Sequence, residues 1–182
     1  MISYMRIVIL AGLAGLGLML PSVVLAADAP GAEKTALASL EKLYANQPEA
    51  KTLGEQAKAI LVFPNVFKAG FLGGAHYGEG VLFQNGQAMG RYRSVAGSFG
   101  LQAGVQIFGY AMFLMNDQAL EYLDRSDGWE IGIGPSIVVV DTGMGKALTS
   151  TTLRKDVYAF IFNQQGFMAG AGIQGSKITK IK

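Results

Sequence analysis

Glycine sits in this chain where a regular β-strand can least use it. Twenty of the 25 glycines fall at or after Gly70, many of them inside apolar, strand-like stretches. Gly97, Gly100 and Gly104 form one series, and Gly132 with Gly134 and Gly170 with Gly172 form i, i+2 pairs. Such pairs place glycine twice on the same strand face. Glycine weakens a strand, so its repeated use implies bulges, sharp coiling or close approach of another backbone. A groove lined by backbone is the alternative use. The chain has no Gly-X-Y period, only 5 prolines, and 51% hydrophobic residues, which excludes collagen and a flexible linker. Charged residues make up 15% of the 182, too few for a disordered charged tail. What remains is one folded, glycine-dependent domain.

The N-terminus has a different character. Arg6 precedes an apolar run from Ile7 to Leu20, then Pro21, then Val24-Leu25-Ala26. A basic start, a short apolar stretch and a small-x-small site describe a secretory signal peptide over residues 1–26, cleaved after Ala26. An uncleaved anchor would need about 20 apolar residues. The expected location is the periplasm, free or peripheral to the outer or inner membrane. Removing the signal leaves a net charge of +1 from the original +2, too near neutral for a nucleic-acid protein. The absence of cysteine excludes disulfides, thiolate metal sites and a cysteine nucleophile.

From Ala32 the pattern is helical, with Leu37, Leu40 and Tyr44 on one side, and Pro48 ends that segment. A second amphipathic helix is expected from Glu49 to Ala59, with Leu53, Ala57 and Ile60 on one face. Ile60 to Phe63 forms an apolar run stopped by Pro64, and Val66 to Phe71 follows. Val81 to Gln84 and Gln87 to Arg93 flank Asn85-Gly86, the strongest short hairpin signal, because a type I′ turn needs positive φ at both positions. Val95 to Leu114 reads as strand. Asp117 to Leu123 reads as a helix capped by Asp117, with Leu120 and Leu123 buried. Trp129 to Val140 is a further β segment, and Val157 to Phe162 with Gly166 to Gln174 suggests a hairpin around Asn163-Gln164-Gln165. The expected fold is α+β, with N-terminal amphipathic helices packed on a curved, glycine-rich antiparallel sheet or part-closed barrel.

Motifs for catalysis are weak. Gly143-Met144-Gly145-Lys146 lacks the first glycine and the final Ser/Thr of a phosphate loop. Gly170 to Gly175 spells G-x-G-x-x-G but leaves no room for a following βα unit. His76 is the only histidine, and it could pair with Glu79 or line a pocket for a hydrolase or small-molecule binder. A hydrogen-bonded structural role is the simpler reading. Trp129, Tyr92, Phe99 and Phe108 read as core aromatics before a stacking surface. The chain is therefore expected to be no enzyme and to carry no cofactor and no metal. Lys51, Lys58, Lys68, Arg91, Arg93, Lys177 and Lys180 are the candidate lipid-headgroup contacts, each worth about 1 kcal/mol near an anionic bilayer.

The ordered series Ala57-Lys58-Ala59-Ile60-Leu61-Val62-Phe63-Pro64, Lys68-Ala69-Gly70-Phe71 and Gly78-Glu79-Gly80-Val81-Leu82 resembles the opening of the SYLF-domain family. Gly97 to Gln106, Gly132-Ile133-Gly134-Pro135, Gln165 to Gly170 and Gly175-Ser176 continue the resemblance. The chain departs from it at Gly90 to Ser94, where the family has a tryptophan and a proline, and at Ile137-Val138, where it has glycine-arginine. The resemblance implies a lipid-binding domain that prefers anionic lipids, phosphoinositides in eukaryotic members, through an amphipathic helix and basic residues. Some eukaryotic members also bind actin, a partner not expected in an exported chain. The domain reading is a signal peptide at 1–26, a helix and linker at 27–48 and a SYLF-like lipid-binding domain at 49–182. The expected function is a non-enzymatic envelope protein binding anionic phospholipid or membrane surfaces. A small outer-membrane β-barrel or a structural envelope protein is the alternative.

Overall fold

The structure, a computed structural model, describes residues 29–70, 73–99, 104–125, 129–130, 134–140, 155–166 and 176–181. The signal segment, the glycine-lysine stretch at 143–146 and the G-x-G-x-x-G at 170–175 lie outside these residues. Among the described residues three helices and eight strands follow in chain order: α1 (Ala29–Asn46), α2 (Pro48–Gln56), β1 (Ala59–Gly70), β2 (Gly73–Gln84), β3 (Gln87–Phe99), β4 (Gly104–Leu114), α3 (Asp117–Asp124), β5 (Trp129–Glu130), β6 (Ile137–Val140), β7 (Val157–Gly166) and β8 (Lys177–Ile181). The strands form one sheet in the order β5-β8-β3-β2-β1-β4-β7-β6. All pairs are antiparallel except β6 with β7. The α+β class is as expected; the sheet is mixed, and among the described residues it is open, with β5 and β6 at its edges. Among those residues no helix is long and apolar enough to cross a membrane.

Local chemistry explains most element boundaries. Pro48 begins α2 rather than merely ending α1, because the first helical turn has no use for the missing N–H. Helix α2 stops at Gln56, and Ala57 is already extended. Asn85 and Gly86 both have positive φ, 51° and 76°, as the tight turn between β2 and β3 requires. Asn116, one residue before the expected cap, caps α3 by accepting from the Ala119 N–H at 2.9 Å.

Pro64 does not stop β1. The strand runs through it, and the register shifts between Val62 and Asn65 against β2 and between Phe63 and Val66 against β4. A bulge is where a sheet tolerates a residue without an N–H. It also reverses the phase of β1: Ala59, Leu61 and Phe63 share a face with Val66 and not with Phe67. The stretch from Trp129 to Val140 likewise splits, with β5 and β6 going to opposite edges of the sheet. No turn falls at Asn163-Gln164-Gln165, because β7 continues through Asn163, with φ at 52°, to Gly166; the second arm expected beyond Gly166 lies outside the described residues.

Apolar residues line both faces of the sheet. On the inner face, Phe63, Tyr110, Phe108, Tyr92 and Trp129 join Ala119 and Leu123 of α3 in one cluster. Phe63 and Tyr110 stack at 4.6 Å between ring centroids. Glycine lets these rings in. A Cβ at Gly80 would lie 2.6 Å from the Val62 carbonyl oxygen and 2.7 Å from the Phe63 ring, and one at Gly78 would lie 2.6 Å from Val66. Glycine thus serves close approach at Gly78 and Gly80 of β2; a Cβ at Gly97 would meet nothing within 4 Å, and Gly100, Gly132, Gly170 and Gly172 lie outside the described residues.

Helix α3 lies against this face. Tyr92 donates to Asp124 at 2.8 Å, and Asn116 donates to Asp156 at 2.8 Å. These bonds reach β3 at one end of the helix and the start of β7 at the other. Eight helical residues span about 12 Å, while the four strand spacings from β3 to β7 span ~19 Å in a flat sheet. The reach of the Tyr92, Asp124, Asn116 and Asp156 side chains takes up part of the difference.

On the outer face, Ala36, Leu40 and Leu43 of α1 and Ala50 and Leu53 of α2 pack on Val62, Val81, Phe83, Phe113 and Phe160. Leu37, expected in this stripe, is 40% exposed. The small Ala36 faces the sheet in its place and sets α1 close to the strands.

Candidate functional site

Residues directly opposite one another in an antiparallel pair point to the same side. The register therefore assembles a row across the outer face: Lys177 pairs with Val95, Val95 with Tyr77, Tyr77 with Phe67, and Phe67 with Ile107. This row lies beyond the area that α1 and α2 cover. Val95, Ile107, Tyr77 and Phe67 are 37%, 40%, 46% and 49% exposed, and Val105 beside them is 50% exposed. A contiguous strip of large apolar side chains over four strands is the kind of surface that interaction sites use, and it is the candidate site here.

Cations border the strip. Arg91 lies opposite Val81, and Arg93 lies opposite Glu79. Glu79 forms a 2.7 Å ion pair with Arg91 and a 3.7 Å contact with Arg93, and it accepts a hydrogen bond from the Tyr77 hydroxyl at 2.5 Å. The Arg93 guanidinium also lies 5.6 Å from the Tyr77 ring centroid. Burial, then the Glu79 bond and charge, push the Tyr77 hydroxyl above its ordinary pKa. Glu79 thus spreads one negative charge over two arginines, and together with Lys177 the border keeps a positive excess. Between the strip and the first turn of α1 lies a groove of about 640 Å³ walled by Ala32, Pro64, Phe67, Tyr77, Val81 and Ile107.

The seven candidate cations divide by position. Arg91, Arg93 and Lys177 lie on the outer face around the strip. Lys51 is exposed on α2, and Lys58, also exposed, lies 3.6 Å from Asp117 at the start of α3. Lys180 pairs with Asp124 at 3.2 Å and lies 5.8 Å from the Tyr92 ring centroid, so it ties β8 to α3. Lys68 lies opposite His76 and Gln106 on the inner face. These residues do not form one basic surface.

His76 and Glu79 do not form the imagined acid–base pair, because they emerge on opposite faces of β2. His76 is buried, with Nε2 at 3.0 Å from the Ser94 Oγ. Burial, and then the charge of Lys68, push its imidazole down to about 4. Gln106 and Tyr110 are buried nearby, and burial also raises the Tyr110 hydroxyl pKa. Ser94 lies close enough to offset part of that rise, but no hydrogen bond of sound geometry closes on the hydroxyl. Trp129, Tyr92 and Phe108 are core residues, fully buried. Among the described residues no group of three or more His, Cys, Asp or Glu side chains comes together.

Sequence reasoning missed Phe67, Tyr77, Val95 and Ile107. Each alternates correctly within its own strand, but only the bulge at Pro64 reveals that Phe67 faces outward. A comparison with protein-family models matches residues 95–182 to the family described as Ysc84: Las17-binding protein actin regulator. The match begins at Val95, within β3, and takes in β4, α3 and β5 to β8. No curated protein matches the chain.

Proposed function

We propose that this chain, which belongs to the SYLF-domain family, is a non-enzymatic envelope protein that docks on anionic phospholipid surfaces through the bare strip of its outer sheet face. The observation that carries the reading is the row Val95, Tyr77, Phe67 and Ile107, exposed and bordered by Arg91, Arg93 and Lys177. Fully burying a large apolar side chain stabilises by roughly 1.5–3 kcal/mol, so four half-exposed ones offer several kcal/mol on entering the interfacial layer. Three cations near an anionic surface add about 1 kcal/mol each, less the opposing charge of Glu79. Screening makes this second contribution salt-sensitive.

This reading relocates the contact. The amphipathic helices use their apolar faces on the sheet, so the sheet and not a helix offers the exposed apolar surface. The family description speaks of an actin regulator. Export under the signal peptide would place this chain away from actin, in the periplasm at the surface of a membrane. The β-barrel alternative is disfavoured, because α1 and α2 cover part of the face that lipid would have to touch.

Flotation tests the proposal. The exported protein, purified as the cell processes it, should float with vesicles of phosphatidylglycerol and phosphatidylcholine and lose most of that binding in 0.5 M salt (about three times physiological ionic strength,). Equal flotation with pure phosphatidylcholine, or none with either, contradicts it.

A further inference from the structure

The groove beside the strip has features that a flat membrane contact does not use. It is mostly apolar, lies between the start of α1 and the outer face, and its about 640 Å³ falls within the range of ligand pockets. Its lining reaches from Arg91 on β3 through Tyr77 and Phe67 to Ile107 on β4. Three strand spacings make that about 14 Å, a length suited to an extended hydrocarbon chain. Arg91 stands in the wall, where its Nη2 is engaged by Glu79 at 2.7 Å while its Nε is buried and has no hydrogen-bond partner. A buried donor without an acceptor is costly, and an anionic oxygen is the partner that a guanidinium binds best.

We infer that the groove takes one acyl chain of an anionic lipid, with the lipid's phosphate meeting Arg91. The proposal rests on the membrane-surface reading and adds to it a defined site with a stoichiometry of one. Gly31, in the first turn of α1, lines the groove. A Cβ there would meet nothing within 4 Å, so a large side chain at this lining position has room without displacing the core.

Dodecyl phosphate, held below its micellar concentration, is the probe, and calorimetry of the exported protein is the measurement. One saturable site is expected. Inorganic phosphate and dodecyl maltoside, which offer head alone and tail alone, should each bind at least tenfold more weakly. Gly31→Trp should abolish uptake of the probe while leaving vesicle flotation in place, because the strip is untouched. Should Gly31→Trp fail to melt cooperatively, Thr35→Trp fills the same groove from the next turn of α1. Arg91→Gln should weaken the probe at least tenfold.

No saturable uptake by the parent protein overturns the groove, and so does uptake that the tryptophan variants leave unchanged. A parent that floats with vesicles but takes up no dodecyl phosphate refutes the groove and leaves the surface reading standing. A parent that takes up the probe but does not float keeps the groove and refutes the surface reading.

Discussion

One sheet face in this molecule has two halves with the same kind of residue and opposite fates. In one half, Val62, Val81, Phe83, Phe113 and Phe160 lie under α1 and α2 and are at most 4% exposed. In the other, Phe67, Tyr77, Val95 and Ile107 are 37–49% exposed. The side chains on the two halves are equally apolar, so composition does not distinguish them. The difference lies in the reach of α1. Ala36, Leu40 and Leu43 seat its C-terminal two-thirds on the sheet, and its first turn stops short of the row at Phe67. The covered half holds the fold together, and the bare half is available for something else.

The largest expected effect breaks the covered half. Phe113 meets Phe160 edge-to-face at 5.4 Å and is fully buried. Phe113→Ala should cost about 3–5 kcal/mol in urea unfolding, the range for a large aromatic removed from a core. Phe67→Ala, opposite Ile107 and so six residues along β4 from Phe113, and half-exposed, should change stability by only about 0.5 kcal/mol while cutting flotation on anionic vesicles severalfold. Equal stability losses at the two positions would remove the distinction between the halves.

Next in size is the inner polar row. His76 is held neutral by burial, with its imidazole pushed down to about 4 from an ordinary 6.5. The unfolded chain binds this proton more readily than the folded one, so stability is full above pH 6.5 and falls as pH drops toward 4. The loss is roughly 3 kcal/mol at most. Unfolding midpoints measured across that window should fall in the parent and stay flatter in His76→Gln.

Smaller still is the clasp at Asp156. It accepts from Asn116, the Ser136 N–H and the Ser136 hydroxyl, each at 2.8 Å, and these bonds hold its carboxyl below the usual range. Asp156→Asn should cost about 1–3 kcal/mol, read from thermal melts at neutral pH, with less of that cost in acid where the parent carboxylate itself protonates.

The smallest expected effects separate the cations. Lys51→Gln and Lys58→Gln should leave flotation within a factor of about two, since Lys58 is an exposed pair of little energetic worth. The triple change Arg91→Gln, Arg93→Gln and Lys177→Gln, by contrast, should remove the salt dependence together with most of the flotation on anionic vesicles.

The pattern of what the residues disclosed has a physical cause. Asn85-Gly86 was legible because a two-residue turn states its own backbone requirement, and the structure shows positive φ at both. Helix α3 was legible to within one residue because a cap and a buried face are local features. The separation of Trp129 from Val140 onto opposite sheet edges was not, since pairing with β8 and β7 is a choice among distant strands. The strip was illegible for a sharper reason. Its Phe67 changes face through the bulge at Pro64, and bare or covered status depends on where a helix ends in space. The candidate cations were found by type and could be sorted only once the register placed three of them around the strip.

The most direct test of the bare half is to put a reporter in it. The native Trp129 is fully buried on the inner face and supplies a constant background. In the F67W variant, the introduced indole should shift to shorter wavelength and be quenched by brominated acyl chains in phosphatidylglycerol vesicles. It should do neither in phosphatidylcholine vesicles. An indole at that position that floats with the anionic vesicles yet stays unquenched and red-shifted would show that the strip does not meet the lipid, and would contradict the account.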